Sequence, residues 1–313
     1  MDYRVKSLIQ RSIASLPSDL SYKLYYLIQR KFGGLKSVDP FPSLLKGRKI
    51  LEILSGMSID FEGKSFLELG AGRSLILPLS LYIQGAREVV SVDLNPYFSI
   101  DIWNDSLKSI VENIDIIKKD FPKLDSHRLD LVLSTKNLDN VAQILGFLNS
   151  IGIRYIAPCD STRLPFRDKY FDFQISTNVL EHIPKNKISG IFPEIKRVLS
   201  EDGLCLNLID YSDHFAHSDH NISLIHFLRF SSQDFKSLAG NRYMYMNRLR
   251  DDDFQQLFAD LEMKTIFSEK VVDSSILNLL KTNDKSVFLH DDFKFKEKDC
   301  LATTHAWYGL SFS

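Results

Sequence analysis

Cysteine is scarce in this 313-residue chain. Cys159, Cys205 and Cys300 are odd in number, far apart and without C-x-x-C spacing, so neither a disulfide framework nor a cysteine zinc site is suggested and reduced thiols are expected. Long apolar runs are missing as well. No stretch approaches the roughly 18 residues that span a bilayer, and the opening MDYRVKSLIQRSIASLP has no sustained apolar segment, so no transmembrane span and a cytoplasmic location are expected. Neither sign of charge is in excess: 39 Lys and Arg balance 40 Asp and Glu, which gives no reason to expect nucleic acid as a partner. Internal repeats are absent. What remains is a hydrophobic content of 44%, ordinary for a globular protein, in a chain long enough for one large domain with additions or two modest ones.

Periodicity divides the chain. Residues 1–60 read as a helical cap: in SDLSYKLYYLIQRKFGG apolar residues recur every three to four positions, Ser18 or Asp19 can cap the start, and Gly33 and Gly34 can end it. From Lys64 short apolar runs ending in Gly or Asp alternate with helix-compatible segments. KSFLELG, REVVSVDL, 153–158, 171–177 and 204–210 read as strands, with a helix over 185–203. Strands alternating with helices predict an α/β, doubly wound, mostly parallel sheet covered on both faces. The sixty residues between Asp93 and Ile153 are too many for one connection, so a helical insertion is expected at about 100–150, with helices near Trp103–Lys119 and Leu138–Ser150. Near the C-terminus, KTIFSEKVV and LATTHAWYGLSFS read as an antiparallel hairpin that closes the edge of a seven-stranded sheet.

The most informative stretch is FLELGAGRS, Phe66 to Ser74, followed by VVSVDLN, Val89 to Asn95. A strand ending in E-x-G-x-G turns tightly into a helix whose N–H groups face a ligand, and an acid ending the next strand can accept both ribose hydroxyls. A dinucleotide fingerprint needs a third glycine where this chain has Leu75, and an acid just before the glycines would repel a pyrophosphate. It suits a sulfonium and an amino group. S-adenosylmethionine fits better than NAD.

With ELGAGRS, VDLN, CDSTRLPFRDKYFDFQISTNVLEHIP and EIKRVLSEDGLCLNLID, the chain resembles the class I S-adenosylmethionine-dependent methyltransferases, in particular the small-molecule and quinone-biosynthesis branch. The resemblance runs from about Lys64 to the C-terminus and implies a Rossmann-like domain over 61–313. It also implies that Glu68, Gly70, Ala71 and Gly72 line the methionine part of the cofactor, that Asp93 holds the ribose and that Leu94 packs on adenine. Asp160 and Ser161 would read the adenine edge, and the backbone near Asn178 would face the amino group. Ser74 stands where the family often has a third glycine. Asp172 and Glu181 are expected to shape strand ends more than to do chemistry.

Methyl transfer from a sulfonium is an in-line displacement that needs alignment in a dry pocket, plus a base only if the acceptor must lose a proton. His182 follows the fourth strand and His214, His217 and His220 follow the fifth, at the edge where ligands sit in open α/β sheets. His182, His214 and His217 are therefore candidate bases. The three histidines of DYSDHFAHSDH remain open between an acceptor loop, a solvated loop and metal ligands with Asp213. Their spacing matches no standard zinc pattern and the transfer itself needs no metal, so no metal is expected. Residues 211–250 are expected to form an acceptor lid, in which Arg229 and Arg248 could bind an anionic group while Arg250 pairs with Asp251, Asp252 or Asp253. The expected function is methylation of a small molecule, at oxygen on a sugar or other secondary metabolite, leaving S-adenosylhomocysteine. The competing readings are a non-catalytic partner subunit of the same fold and an NAD-dependent oxidoreductase.

Overall fold

The computed structural model describes residues 1–312. Three helices come first: α1 (Tyr3–Ala14), α2 (Ser18–Phe32) and α3 (Phe41–Gly56). Asp2 caps α1 by accepting from the Arg4 amide. The cap position of α2 is Pro17, not Ser18 or Asp19, because the fixed proline φ already sets the entry of the chain and no side-chain cap bond forms. Then follow β1 (Ser65–Leu69), α4 (Ile76–Tyr82), β2 (Glu88–Val92), α5 (Ile100–Glu112), α6 (Ile114–Asp120), α7 (Ser126–Leu133), α8 (Val141–Ser150), β3 (Ile153–Ile156) and β4 (Phe171–Thr177). After these come α9 (Lys185–Val198), β5 (Leu199–Asp210), α10 (Ser232–Ala239), α11 (Asp251–Asp260), β6 (Met263–Val272), α12 (Ser274–Lys281), α13 (Asp291–Lys294), α14 (Lys298–Ala302) and β7 (Thr303–Phe312). Among the described residues no helix is long and apolar enough to cross a membrane.

The seven strands form one sheet in the order β3-β2-β1-β4-β5-β7-β6. The first five are parallel, and β7 runs antiparallel to both neighbours. The antiparallel pair does close the edge, but the last strand in sequence lies inside it and β6 forms the rim, where most of its residues are exposed. Alternation along the strands builds two cores. Leu67, Leu69, Val90 and Val92 face α9 and α11 through Ile188, Phe192, Phe254 and Phe258. Phe66, Val89, Phe173 and Ile175 face α3 and α4 through Ile50, Leu54, Leu77 and Leu81. A one-residue shift would exchange these faces, so the pattern pins the register.

Helix α9 ends at Val198, five residues before Gly203, because β5 begins at Leu199, which pairs with Phe171 across an irregularity in the ladder. The expected helix near Trp103–Lys119 is two helices joined at Asn113, and α7 is added before α8. These insertion helices bury Trp103, Leu107, Phe121, Leu129 and Ile144 against α4. Helices α1 and α2 dock on the segment after β5. The Met1 ammonium donates to the Ser218 carbonyl, the Tyr3 amide to Asp219 Oδ2, Ser7 Oγ to the Leu238 carbonyl, and Tyr25 stacks on Tyr243. The chain end is thereby laid over the carboxyl edge of the sheet.

Candidate active site

The turn after β1 is built by backbone conformation. Gly70 has φ +78°, and a Cβ there would lie 2.5 Å from Val179 Cγ2. Gly72 has φ +65° and would meet nothing within 4 Å, so the space beside it is open cleft. Asp93 holds this turn to the end of β2: Oδ2 accepts from the Gly72 amide at 2.9 Å and Oδ1 from the Asn95 amide at 2.9 Å. Each oxygen keeps a lone pair for a ligand. Burial raises the Asp93 pKa against those two bonds. Glu68 is buried, takes the Ser91 hydroxyl at 2.5 Å, and is pushed up to about 7 by desolvation.

The neighbouring strand ends add to this cleft. Ala71 is half-buried against the insertion helices, and Leu94 is 67% exposed at the lip. The Cys159 amide donates to the Asp93 carbonyl, which ties the loop after β3 to the end of β2. Asp160 is exposed beside Ser161 and accepts from the Thr162 amide and hydroxyl through Oδ1, leaving Oδ2 without a bond in that turn. Asn178 has φ +59°, donates its amide to the Leu208 carbonyl, and accepts from Lys46 Nζ at 2.9 Å. Lys46 comes from α3. Burial lowers its pKa, and Glu181, Asp210 and Glu68 oppose that shift, so the ammonium lies amid three carboxyl groups.

Beyond Asn178 a 3-10 turn, Leu180–His182, carries Glu181 inward. Glu181 is 2% exposed, and its carboxyl oxygens make no full hydrogen bond, only weak approaches from the Glu181 and Asp210 amides. Burial pushes it up to about 8. His182 Nδ1 lies 2.8 Å from the Tyr245 carbonyl, which can only accept, so the proton is on Nδ1 and the lone pair on Nε2. Desolvation, then His214, lowers the His182 pKa and favours this neutral form. The rings of His182, His214 and His217 form a row with centroids 4.9 Å apart at each step. Asp210 Oδ2 lies 3.3 Å from His214 Nε2 without hydrogen-bond alignment, and Asp210 Oδ1 accepts from the Ser212 hydroxyl at 2.6 Å. Burial would raise Asp210, but the nearby His214 and the Ser212 bonds hold it below the usual carboxylate range. Because the single Ser212 proton goes to Asp210, Ser212 accepts from His217 Nε2 at 2.8 Å, and His217 keeps its lone pair on Nδ1.

The row ends at a cavity of about 520 Å³ under α1 and α2, lined by Lys6, Gln10, Tyr25, Gln29, His214 and His217 with Ile9, Ile28, Phe32 and Met244. A polar end facing an apolar wall is the usual composition of a small-molecule pocket.

Residues 152–207, which span β3, β4, α9 and most of β5, match the family described as a methyltransferase domain. The matched segment lies within the doubly wound, mostly parallel seven-stranded sheet that the sequence predicts. No curated protein matches the sequence. Among solved structures, a protein from Pyrococcus horikoshii OT3 is 15% identical, with 92% of this chain and 98% of that one covered at a TM-score of 0.48. A SAM-dependent methyltransferase from Methanosarcina mazei is 12% identical over 83% and 96% at 0.47. A geranyl diphosphate C-methyltransferase from Streptomyces coelicolor A3(2), in complex with Mg2+, geranyl diphosphate and S-adenosyl-L-homocysteine, is 9% identical over 85% and 79% at 0.44.

Three expected substrate contacts do not join the cavity. His220 is exposed to solvent. Arg229 lies over Phe230 and Phe288 and lines a separate cavity of about 280 Å³ with Tyr3, Arg4 and His226. Arg248 is buried and donates to the Phe227 and Phe230 carbonyls and the Ser232 hydroxyl, with Phe235 and Phe293 packed on its guanidinium. Its donors are spent inside the fold, so the anion-binding expectation for Arg248 fails. The Arg250 guanidinium likewise clamps the carbonyls of Tyr211, Cys300, Leu301 and Thr303 rather than the following aspartates. Sequence reasoning missed Lys46, Asp210 and Ser212. Lys46 carries no local signal, whereas Asp210 ends an apolar strand just as Asp93 does and could have been found by that rule.

Proposed function

We propose that this protein transfers a methyl group from S-adenosylmethionine to oxygen on a small-molecule acceptor. The observation that carries the reading is continuity. Charged and titratable side chains run from Glu68 at the glycine turn through Lys46 and Glu181 to His214 and His217, which open onto the cavity. The residues fit the cofactor: the space beside Gly72 is open, and Glu68 and Lys46, which feel each other's charge, offer an acid and a cation for an amino acid. In this reading Asp93 accepts from the ribose hydroxyls, Leu94 packs on the adenine face, and Asp160 and Ser161 meet its edge. Glu68 and the carbonyl of Asn178 accept from the ammonium, and Lys46 pairs with the carboxylate. Bound there, S-adenosylmethionine supplies an electrophilic methyl group on a sulfonium and leaves as S-adenosylhomocysteine.

The chain's own part is positioning and proton removal. Ile9, Ile28, Phe32 and Met244 give the cavity an apolar side against which an acceptor can pack. His217, held by Ser212 and Asp210, presents a free Nδ1 that takes the acceptor hydroxyl proton, while Asp210 steadies the resulting imidazolium through Ser212. A sugar or other hydroxylated metabolite suits a pocket with Lys6, Gln10 and Gln29 along its walls. Calorimetry with S-adenosylmethionine and S-adenosylhomocysteine tests the reading. Binding in the micromolar range supports it, and no heat at millimolar ligand overturns it.

A further inference from the structure

Glu181, His182 and His214 lie on two strand ends, yet one ligating atom of each falls within 4.8 Å of the other two. Glu181 is nearly inaccessible, and its oxygens make no full hydrogen bond beyond weak approaches from the Glu181 and Asp210 amides, an arrangement that costs free energy unless something absent from the protein satisfies it. Protonation does not cure it, because a neutral carboxyl still has a proton to donate and an oxygen to satisfy. Lys46 is the nearest cation by charge coupling, but its ammonium bonds Asn178 and makes no hydrogen bond to Glu181. His214 Nε2 is also buried without an aligned partner.

We propose that Glu181, His182 and His214 bind one divalent first-row transition-metal ion. Two imidazoles and one carboxylate are a donor set these ions favour, and three protein ligands leave coordination positions open. The surrounding groups fit. The Nδ1–H bond from His182 to the Tyr245 carbonyl is the second-sphere bond that orients a ligating imidazole with Nε2 toward the ion. Asp210 Oδ2, 3.3 Å from His214 Nε2, adds a negative charge beside the site. His214 also lines the acceptor cavity, which puts the site at its edge. Here the inference joins the methyltransferase reading and rests on it: the acceptor is one whose hydroxyl oxygen coordinates the ion. A bound ion would act as a Lewis acid that eases loss of the hydroxyl proton to His217, after which the oxygen lone pair would form the C–O bond as the C–S electron pair returned to sulfur.

Co2+ is the probe. After dialysis against chelator, the full-length protein should take up one Co2+ per chain, with visible ligand-field bands and a raised melting temperature. Glu181→Gln and His214→Ala should each weaken uptake at least about tenfold, with far-UV circular dichroism unchanged. Unaltered Co2+ affinity in both variants, or no bands in the wild type, overturns the site. If a variant does not fold, the Cu2+ electron paramagnetic resonance spectrum of the wild type decides: hyperfine coupling to two imidazole nitrogens is expected, and its absence overturns the site. S-adenosylhomocysteine calorimetry on the metal-free protein separates the two proposals. Cofactor binding without Co2+ binding removes only the metal, and Co2+ binding without cofactor binding removes only the methyltransferase reading.

Discussion

Lys46 reaches from the third N-terminal helix to Asn178 at the end of β4, with Nζ 2.9 Å from Oδ1. The contact spans 132 residues of chain and brings the only ammonium coupled to Glu68, Glu181 and Asp210 into the cleft among the described residues. In Lys46→Met, affinity for S-adenosylhomocysteine should fall by about 1.5 kcal/mol, the low end for a hydrogen bond to a charged group, since Lys46 is only partly buried. Calorimetry measures it, and unchanged affinity would remove Lys46 from the cofactor site.

Asp93→Ala should weaken cofactor binding by roughly 1–3 kcal/mol. Part of that loss reflects the Gly72 and Asn95 amides set free, so Asp93→Asn, which keeps an acceptor for one of them, should lose less. If both variants bind like the wild type, Asp93 does not hold the ribose.

Glu68 gives a pH signature. Its pKa in the fold is about 7, against 4.5 for an ordinary glutamate. The unfolded chain therefore ionises first, and stability from this group is lost as pH rises from about 4.5 to 7, on the order of 3 kcal/mol in all. Denaturation of wild type and Glu68→Gln across that range should show a steeper loss in the wild type, since both proteins share the like-signed contribution of Glu181 and only the wild type adds that of Glu68. A cationic cofactor favours the carboxylate, so S-adenosylmethionine affinity should increase through about pH 7, and a flat profile would count against contact with Glu68.

His217→Gln should lower turnover by about 100-fold, the lower range for general-base catalysis, with cofactor affinity within a factor of two. Ser212→Ala should act in the same direction but less, because it disconnects His217 from Asp210 without removing the imidazole. Single-turnover rates discriminate. Normal rates in His217→Gln would rule the residue out as the base.

Arg250→Met strands the carbonyls of Tyr211, Cys300, Leu301 and Thr303 in a site with no solvent access. Thermal unfolding should register a loss of at least about 2 kcal/mol. Arg248→Met should also lower the melting temperature while leaving the Michaelis constant for the acceptor unchanged, which a pocket residue would not do.

Features set by neighbours in the chain were legible in the sequence. The period-two strands, the glycine turn with Glu68, and Asp93 about twenty residues on are local signals, and with them came the sheet and its antiparallel closure. Helix ends were read less well because they depend on partners. Leu199 leaves α9 because Phe171 pairs with it, and the cap position of α2 is Pro17 because proline, not serine, sets the chain direction.

The roles of polar side chains divided in the same way. His182, His214 and His217 could be assigned to one edge of the sheet from strand order alone, whereas that rule did not foresee that His220 faces solvent or that Arg229 and Arg248 are engaged by other segments. Glu181 looked like a turn residue, and only the packing around it left a buried carboxyl without a full hydrogen bond. By itself the sequence determined the fold class and the position of the glycine turn, since backbone conformation and apolar alternation act over a few residues. The tertiary structure alone decided that Lys46, Glu181 and His214 share one cleft, because hydrogen bonding and charge act through space between segments that carry no mark of each other in the chain.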